Sequence, residues 1–179
     1  LRMWETGRRR SLLLVGQEGL EDRVRRIVDL AYPGLEAKLS FELEVREMRP
    51  GEPAGFLDLT WRAARTLHSR NNLSLRLEEG EACLYYSGDG PPSEECEDLA
   101  LGCGLMVHEA YTAGEERIPG HATVPECLDF ARRTGARSLA LVHLQRDERR
   151  RRSGELREWL EGLEDIRAFL PEPGEVAAV

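Results

Sequence analysis

LYYSGDGPPSE (84–94) decides how the chain reads. The apolar run Cys83-Leu84-Tyr85-Tyr86 has strand character and breaks at Ser87-Gly88. Glycine there lets the backbone turn sharply and aims the Asp89 carboxylate off the end of a sheet. LMVHEAY (105–111) repeats the device and delivers His108 and Glu109 at the end of a second short apolar run. PGHAT (119–123) then sets His121 in a glycine loop ahead of an amphipathic segment. Side chains at strand ends of an α/β sheet converge on one rim, where ligands bind. The other two histidines, His68 and His143, also close apolar segments and are expected on that rim.

Outward from this core the patterning alternates. SLLLV (11–15) reads as a buried strand ended by Gly16, and 19–32 as an amphipathic helix stopped by Pro33-Gly34. Strict alternation predicts a strand over 39–45. Strands are expected at 57–60 and 64–67, ending at His68, and a hairpin at 73–77 and 82–86. Ser93 is a good N-cap for a helix reaching about Leu101, because its hydroxyl satisfies a free backbone N–H and the acids behind it suit the helix dipole. A helix over 124–134 with Gly135 as its C-terminal stop follows, then a strand over 138–142 ending at His143. A helix over 153–163, a segment over 166–170 and a last strand over 175–179 close the chain.

Length and composition fit one domain: 179 residues, 41% hydrophobic, with no repeat or low-complexity linker. A net charge of −8 argues against a dedicated nucleic-acid binder, and the Arg149–Arg152 run reads as a solvated helix start. No apolar run is long enough to span a bilayer, and no signal peptide is visible, so a cytoplasmic location is expected. The four cysteines lack paired C-x-x-C spacing and read as buried, reduced thiols. The chain opens on Leu rather than Met and reads as one entered partway through a fold.

All four histidines lie at strand ends or in glycine-containing loops, with Asp89 among them, and imidazole plus carboxylate is the ligand set of a hydrolytic metal site. Taken in order, His68, YSGD (86–89), VHEA (107–110), GHAT (120–123) and LVHL (141–144) resemble the metallo-β-lactamase fold superfamily, in its ribonuclease Z-like, phosphodiesterase branch. In that branch one strand ends in S-G-D-T, another in H-E-A-T, a loop reads G-H-S-T and a late strand ends in T-H. Gly90, Tyr111, Ala122 and Val142 depart from these motifs.

The resemblance implies an α/β (α+β) fold, an αββα sandwich with its N-terminal part missing, because the H-x-H-x-D-H motif that supplies most ligands is absent. It implies two divalent metal ions, zinc first and manganese or iron as alternatives, with His68, Asp89 and His143 as ligands and Asp89 bridging both. It implies that His121, oriented by Glu109, donates a proton or contacts phosphate, that His121, Glu109 and Asp89 are the catalytic residues, and that His108 is structural. The implied reaction is hydrolysis of a phosphodiester by a metal-bridging hydroxide. Only 21 positions separate His68 from Asp89, room for a hairpin but not for the arm that binds tRNA. The expected partner is therefore a small phosphodiester or ester, with tRNA and membrane set aside and room left for a homodimer. With two imidazoles and one carboxylate, this chain alone is expected to be inactive, as the C-terminal portion of a complete enzyme. The alternative is a catalytically inactive remnant acting as a binding or interaction module.

Overall fold

The computed structural model describes residues 2–179. The chain divides into two compact units, one ending at Arg49 and the other spanning Pro50–Val179.

In the first unit a short helix α1 (Arg2–Glu5) leads to strand β1 (Leu12–Gln17), helix α2 (Leu20–Ala31), a single 3-10 turn (Glu36–Lys38) and strand β2 (Leu43–Met48). The two strands pair in parallel, Leu12 opposite Leu43 and Gln17 opposite Met48. Parallel pairing requires a long crossover, and α2 with the 3-10 turn supplies it. The Trp4 indole N–H donates to Lys38 O at 2.8 Å and the Ser40 hydroxyl donates to Arg8 O at 2.8 Å, tying both approaches to the strands. The alternation over 39–45 predicted a strand four residues too early. Pairing begins only at Leu43, because β1 offers no partner before Leu12.

The second unit is built on one seven-stranded sheet in the order β3-β4-β5-β6-β7-β8-β9, so every strand lies beside its neighbours in sequence. Its strands are β3 (Ala54–Phe56), β4 (Leu59–Arg65), β5 (Leu73–Glu79), β6 (Ala82–Tyr86), β7 (Leu105–Glu109), β8 (Ser138–Val142) and β9 (Arg167–Phe169). The β3 to β6 pairings are antiparallel and the β6 to β9 pairings parallel. Between the parallel strands run α3 (Glu94–Ala100), α4 (Val124–Thr134) and α5 (Arg146–Glu161). The core joins Tyr85 of β6, Met106 of β7 and Leu139 and Leu141 of β8 to Leu99 of α3, Leu128 and Phe130 of α4, and Leu156 and Leu160 of α5. This is the α/β architecture expected, with helices packed on the sheet.

The helix ends follow the sequence. Ser93 caps α3 by accepting from Cys96 N. Thr123 and Glu126 form a reciprocal capping box at α4, and Gly135 ends that helix in the left-handed region at φ 66.

Three predictions need correction. Leu57 and Asp58 form no strand: both have positive φ, 55 and 64, and make the tight turn of the β3–β4 hairpin. Helix α5 starts at Arg146 rather than 153, because the Gln145 side chain accepts from Asp147 N and Glu148 N, each at 2.9 Å, and caps a turn with no apolar residue. Residues 175–179 form no strand.

All four cysteines are free and buried, as the spacing suggested. Among the described residues no helix is long and apolar enough to cross a membrane.

Candidate metal and acid–base site

Every candidate residue lies in the second unit. Asp89 follows β6, Glu109 ends β7 and His143 follows β8. These three strands are consecutive and parallel, so their C-terminal ends share one edge of the sheet. Backbone bonds extend the alignment past the strand ends. Ser87 N–H donates to Val107 O, Ala110 N–H to Val142 O and Gln145 N–H to Tyr111 O, at 2.9, 2.8 and 2.9 Å. The loop carrying His121 is stitched to the continuation of β7 by Tyr111 N–H to Ala122 O and Val124 N–H to Thr112 O.

His143 Nε2 stands 3.9 Å from Asp89 Oδ1, and both side chains are open to solvent. His143 itself adopts φ 62, a left-handed conformation that a non-glycine residue holds only when its surroundings impose it. Such outliers cluster at functional sites. Two donors on one divalent ion, each at about 2.1 Å, must lie within roughly 4 Å of each other. Asp89 and His143 therefore fit as a two-donor share of a metal centre.

His68 does not join them. Its ring meets His121 edge-on at a centroid distance of 5.7 Å, and its Nδ1 accepts from Arg70 N–H at 3.3 Å. A neutral imidazole that accepts at Nδ1 carries its proton on Nε2, where it donates rather than ligates. Among the described residues no three His, Cys, Asp or Glu side chains converge as a group able to hold a metal ion.

The acid–base pair is more tightly built. Glu109 is 1% exposed, and its Oε1 accepts from His121 Nδ1 at 3.2 Å, Ala122 N–H at 3.0 Å and Gly90 N–H at 3.0 Å. Its Oε2 has no hydrogen-bond partner among the described residues. With Nδ1 turned to Glu109, His121 is held in one orientation and Nε2 is the nitrogen left for other chemistry.

His108 points the other way, into the core. It packs edge-on against Phe130 at 5.6 Å, and Nδ1–H donates to Glu109 O at 2.8 Å. Burial pulls its pKa down to about 4, so it is neutral at physiological pH. The Cys127 thiol donates to the same carbonyl at 3.1 Å, and burial pushes its pKa well up.

Sequence reasoning missed Tyr111. Its ring stacks on His121 at 4.6 Å with an interplanar angle of 22° and tilts against His143 at 5.9 Å. His121 and His143 are themselves 5.5 Å apart, so three rings share one cluster. The available signal was the aromatic placed straight after H-E-A.

Residues 1–144 match the family described as a beta-lactamase superfamily domain. The chain belongs to that family. Ribonuclease Z of Brevibacillus brevis is 36% identical to it over 64 residues, 34% of this chain and 20% of the relative. The match thus spans about a fifth of that relative's length. Among solved structures, the metallo-beta-lactamase fold protein YhfI of Bacillus subtilis superposes with a TM-score of 0.69 at 17% identity, over 94% of this chain and 64% of its own. Human tRNase Z, short form, gives a TM-score of 0.64 at 20% identity, over 76% and 61%. Both structures share the fold of this chain, as the motif order from His68 to His143 implied.

Proposed function

We propose that the chain supplies the acid–base half and part of the metal-binding half of a metal-dependent phosphodiester hydrolase related to ribonuclease Z. One observation carries the reading. The His121–Glu109 pair lies in the same ring cluster as His143, which in turn faces Asp89 at 3.9 Å. That proximity at one sheet edge supports reading His121 as a proton donor beside a pair of metal-ligand groups.

Asp89 and His143 would hold metal, and His68 would have to move toward them and take the other tautomer to join. Bound divalent ions would supply Lewis-acid polarisation of a phosphoryl oxygen and a nucleophile usable at neutral pH. The chain's own residues do the rest. Glu109 fixes the His121 ring through Nδ1, and protonated His121 delivers a proton from Nε2 to the leaving oxygen. Tyr111 holds the ring against rotation from its face. A small phosphodiester or ester is preferred over tRNA, because only the β5–β6 hairpin lies between His68 and Asp89.

With two imidazoles and one carboxylate, each of two ions would have fewer than the three protein ligands usual for a hydrolytic centre. The same count favours a second reading, a binding module in which the rim histidines are polar contacts only; no donor group of three exists among the described residues. The experiment is hydrolysis of bis-p-nitrophenyl phosphate with added Zn or Mn. It is run on this chain and on a polypeptide in which an H-x-H-x-D-H segment precedes it. Activity confined to the longer polypeptide and abolished by Asp89→Asn supports the hydrolase. Equal activity in both would mean that the site is completed by other residues, and metal-dependent turnover in neither would leave the binding module.

A further inference from the structure

Residue 109 touches the Asp89 turn on both sides. Before Asp89, its backbone N–H donates to Ser87 Oγ at 2.9 Å. After Asp89, its Oε1 accepts from Gly90 N–H at 3.0 Å. The buried Ser87 hydroxyl passes its own hydrogen to Gly88 O at 2.7 Å, and its backbone N–H is held by Val107 O at 2.9 Å. Gly88 and Gly90, which flank Asp89, have φ of 65 and 129. A carboxylate between two glycines has the most mobile attachment a chain can offer, and ordering it costs more entropy than at any other pair of neighbours. The Asp89 side chain is 42% exposed, so little packing is available to fix it. The bonds to residue 109 do that instead.

We propose that Glu109 and Ser87 form a bracket that sets the Asp89 carboxylate opposite His143, so that both are positioning residues for Asp89. Glu109 thereby has a second task besides orienting His121. Because the same Oε1 also receives Ala122 N–H and His121 Nδ1, one buried oxygen keeps the Asp89 turn and the His121 loop in register. The consequence for metal binding rests on the reading of Asp89 as a ligand; the bracket itself does not.

Two measurements separate these. The first is the amide proton shift and exchange rate of Gly90 and Ala122 by NMR without metal. Glu109→Gln keeps an acceptor oxygen and should keep both amides protected, whereas Glu109→Leu should release both together. Ser87→Ala should release the amide of residue 109. The second is titration with Co(II) alone, followed by its visible absorption. Supporting groups around a metal ligand typically alter affinity about 10- to 100-fold, and a loss in that range is expected for Ser87→Ala and Glu109→Leu, with Glu109→Gln near wild type. A Gly90 amide unmoved in Glu109→Leu, or Co(II) affinity unmoved in both disruptive variants, overturns the proposal. If the unsubstituted chain binds no Co(II), its two-donor site is too weak to report on Asp89 and the amide data alone decide the bracket. Should Glu109→Leu not fold, Ser87→Ala carries both readouts, since it removes one hydroxyl.

Discussion

His143 Nε2 and Asp89 Oδ1 come within 3.9 Å of each other although β7 lies between the strands that carry them. The approach is made above the sheet edge, by a left-handed His143 on one side and a glycine-flanked Asp89 on the other. The His143 conformation is locally unfavourable and ordering Asp89 between two glycines costs entropy, so the meeting of the two side chains is not a by-product of regular structure.

On the proposed metal reading, the pair should make little difference to stability and much to ligand binding. The two side chains are 47% and 42% exposed, and exposed ion pairs contribute about 0–1 kcal/mol. Asp89→Asn should therefore leave the unfolding free energy, from denaturant melts, within about 0.5 kcal/mol of wild type. Its affinity for Zn or Mn, measured by calorimetry, should fall by about tenfold or more, as expected when a charged ligand is lost. A large stability change with metal affinity preserved would assign Asp89 a structural role.

Two glycines near the site should respond very differently to the same substitution. At Gly88 an added Cβ would stand 2.5 Å from the backbone oxygen of Leu73, at φ 65. At Gly120 it would meet His68 Cδ2 at 3.4 Å, ordinary contact, at φ 83. Left-handed backbone alone costs about 1–2 kcal/mol for a residue with a Cβ. Gly120→Ala should lose about that much, while Gly88→Ala adds a backbone clash worth roughly 1–3 kcal/mol more. Urea denaturation of the two variants checks the order, and Gly120→Ala losing as much as Gly88→Ala would contradict it.

How much of this was legible depended on whether a local signal coincided with the tertiary one. Ser87-Gly88-Asp89 announced a strand end because an apolar run stopped at a glycine, and the structure puts the β6 end there. Ser93 announced the start of helix α3 through its hydroxyl, and Gly135 announced the end of α4. The Leu57-Asp58 turn gave little notice: Asp58 tolerates positive φ, but Leu57 does not favour it, and there the hairpin pairing imposes it. The start of α5 was half legible: the Arg149–Arg152 run read as a solvated helix start and lies in the helix, but Arg146 to Arg152 hold no apolar residue to give a period, and Arg149 reaches Pro171 O at 3.1 Å instead. In the site, motif order led to Asp89, Glu109, His121 and His143. It could not show that His68 turns to His121, nor that Tyr111 stacks there, because ring-to-ring geometry has no counterpart in spacing.

That stack has a measurable consequence. Stacked aromatic pairs contribute about 0.5–1.5 kcal/mol beyond area burial. Tyr111→Phe keeps the ring, so stability and the order of the His121 side chain should both be retained. Tyr111→Thr should lose about 1 kcal/mol and leave the His121 ring more mobile, with Glu109 its remaining tether. Side-chain relaxation of His121 in the two variants checks this, and equal mobility in both would mean that Glu109 alone orders the ring.

His108 should make stability depend on pH in a defined window. Burial holds its folded-state pKa down to about 4, against an ordinary value of 6.5. The unfolded chain therefore takes up a proton near pH 6.5 that the folded chain refuses until about pH 4. Stability from this residue is complete above pH 6.5 and is lost as pH falls from there toward 4. At about 1.4 kcal/mol per pH unit, the loss is on the order of 3 kcal/mol. Other groups titrate in the same range, so the comparison is with His108→Asn, whose side-chain amide can still donate to Glu109 O but does not titrate. That variant should be less stable at pH 7, because the shorter side chain leaves space beside Phe130 and Tyr85. Between pH 7 and 4, however, it should lose less stability than wild type by about the amount above, measured by urea denaturation at several pH values. Parallel curves would mean that His108 titrates alike in the folded and unfolded chain.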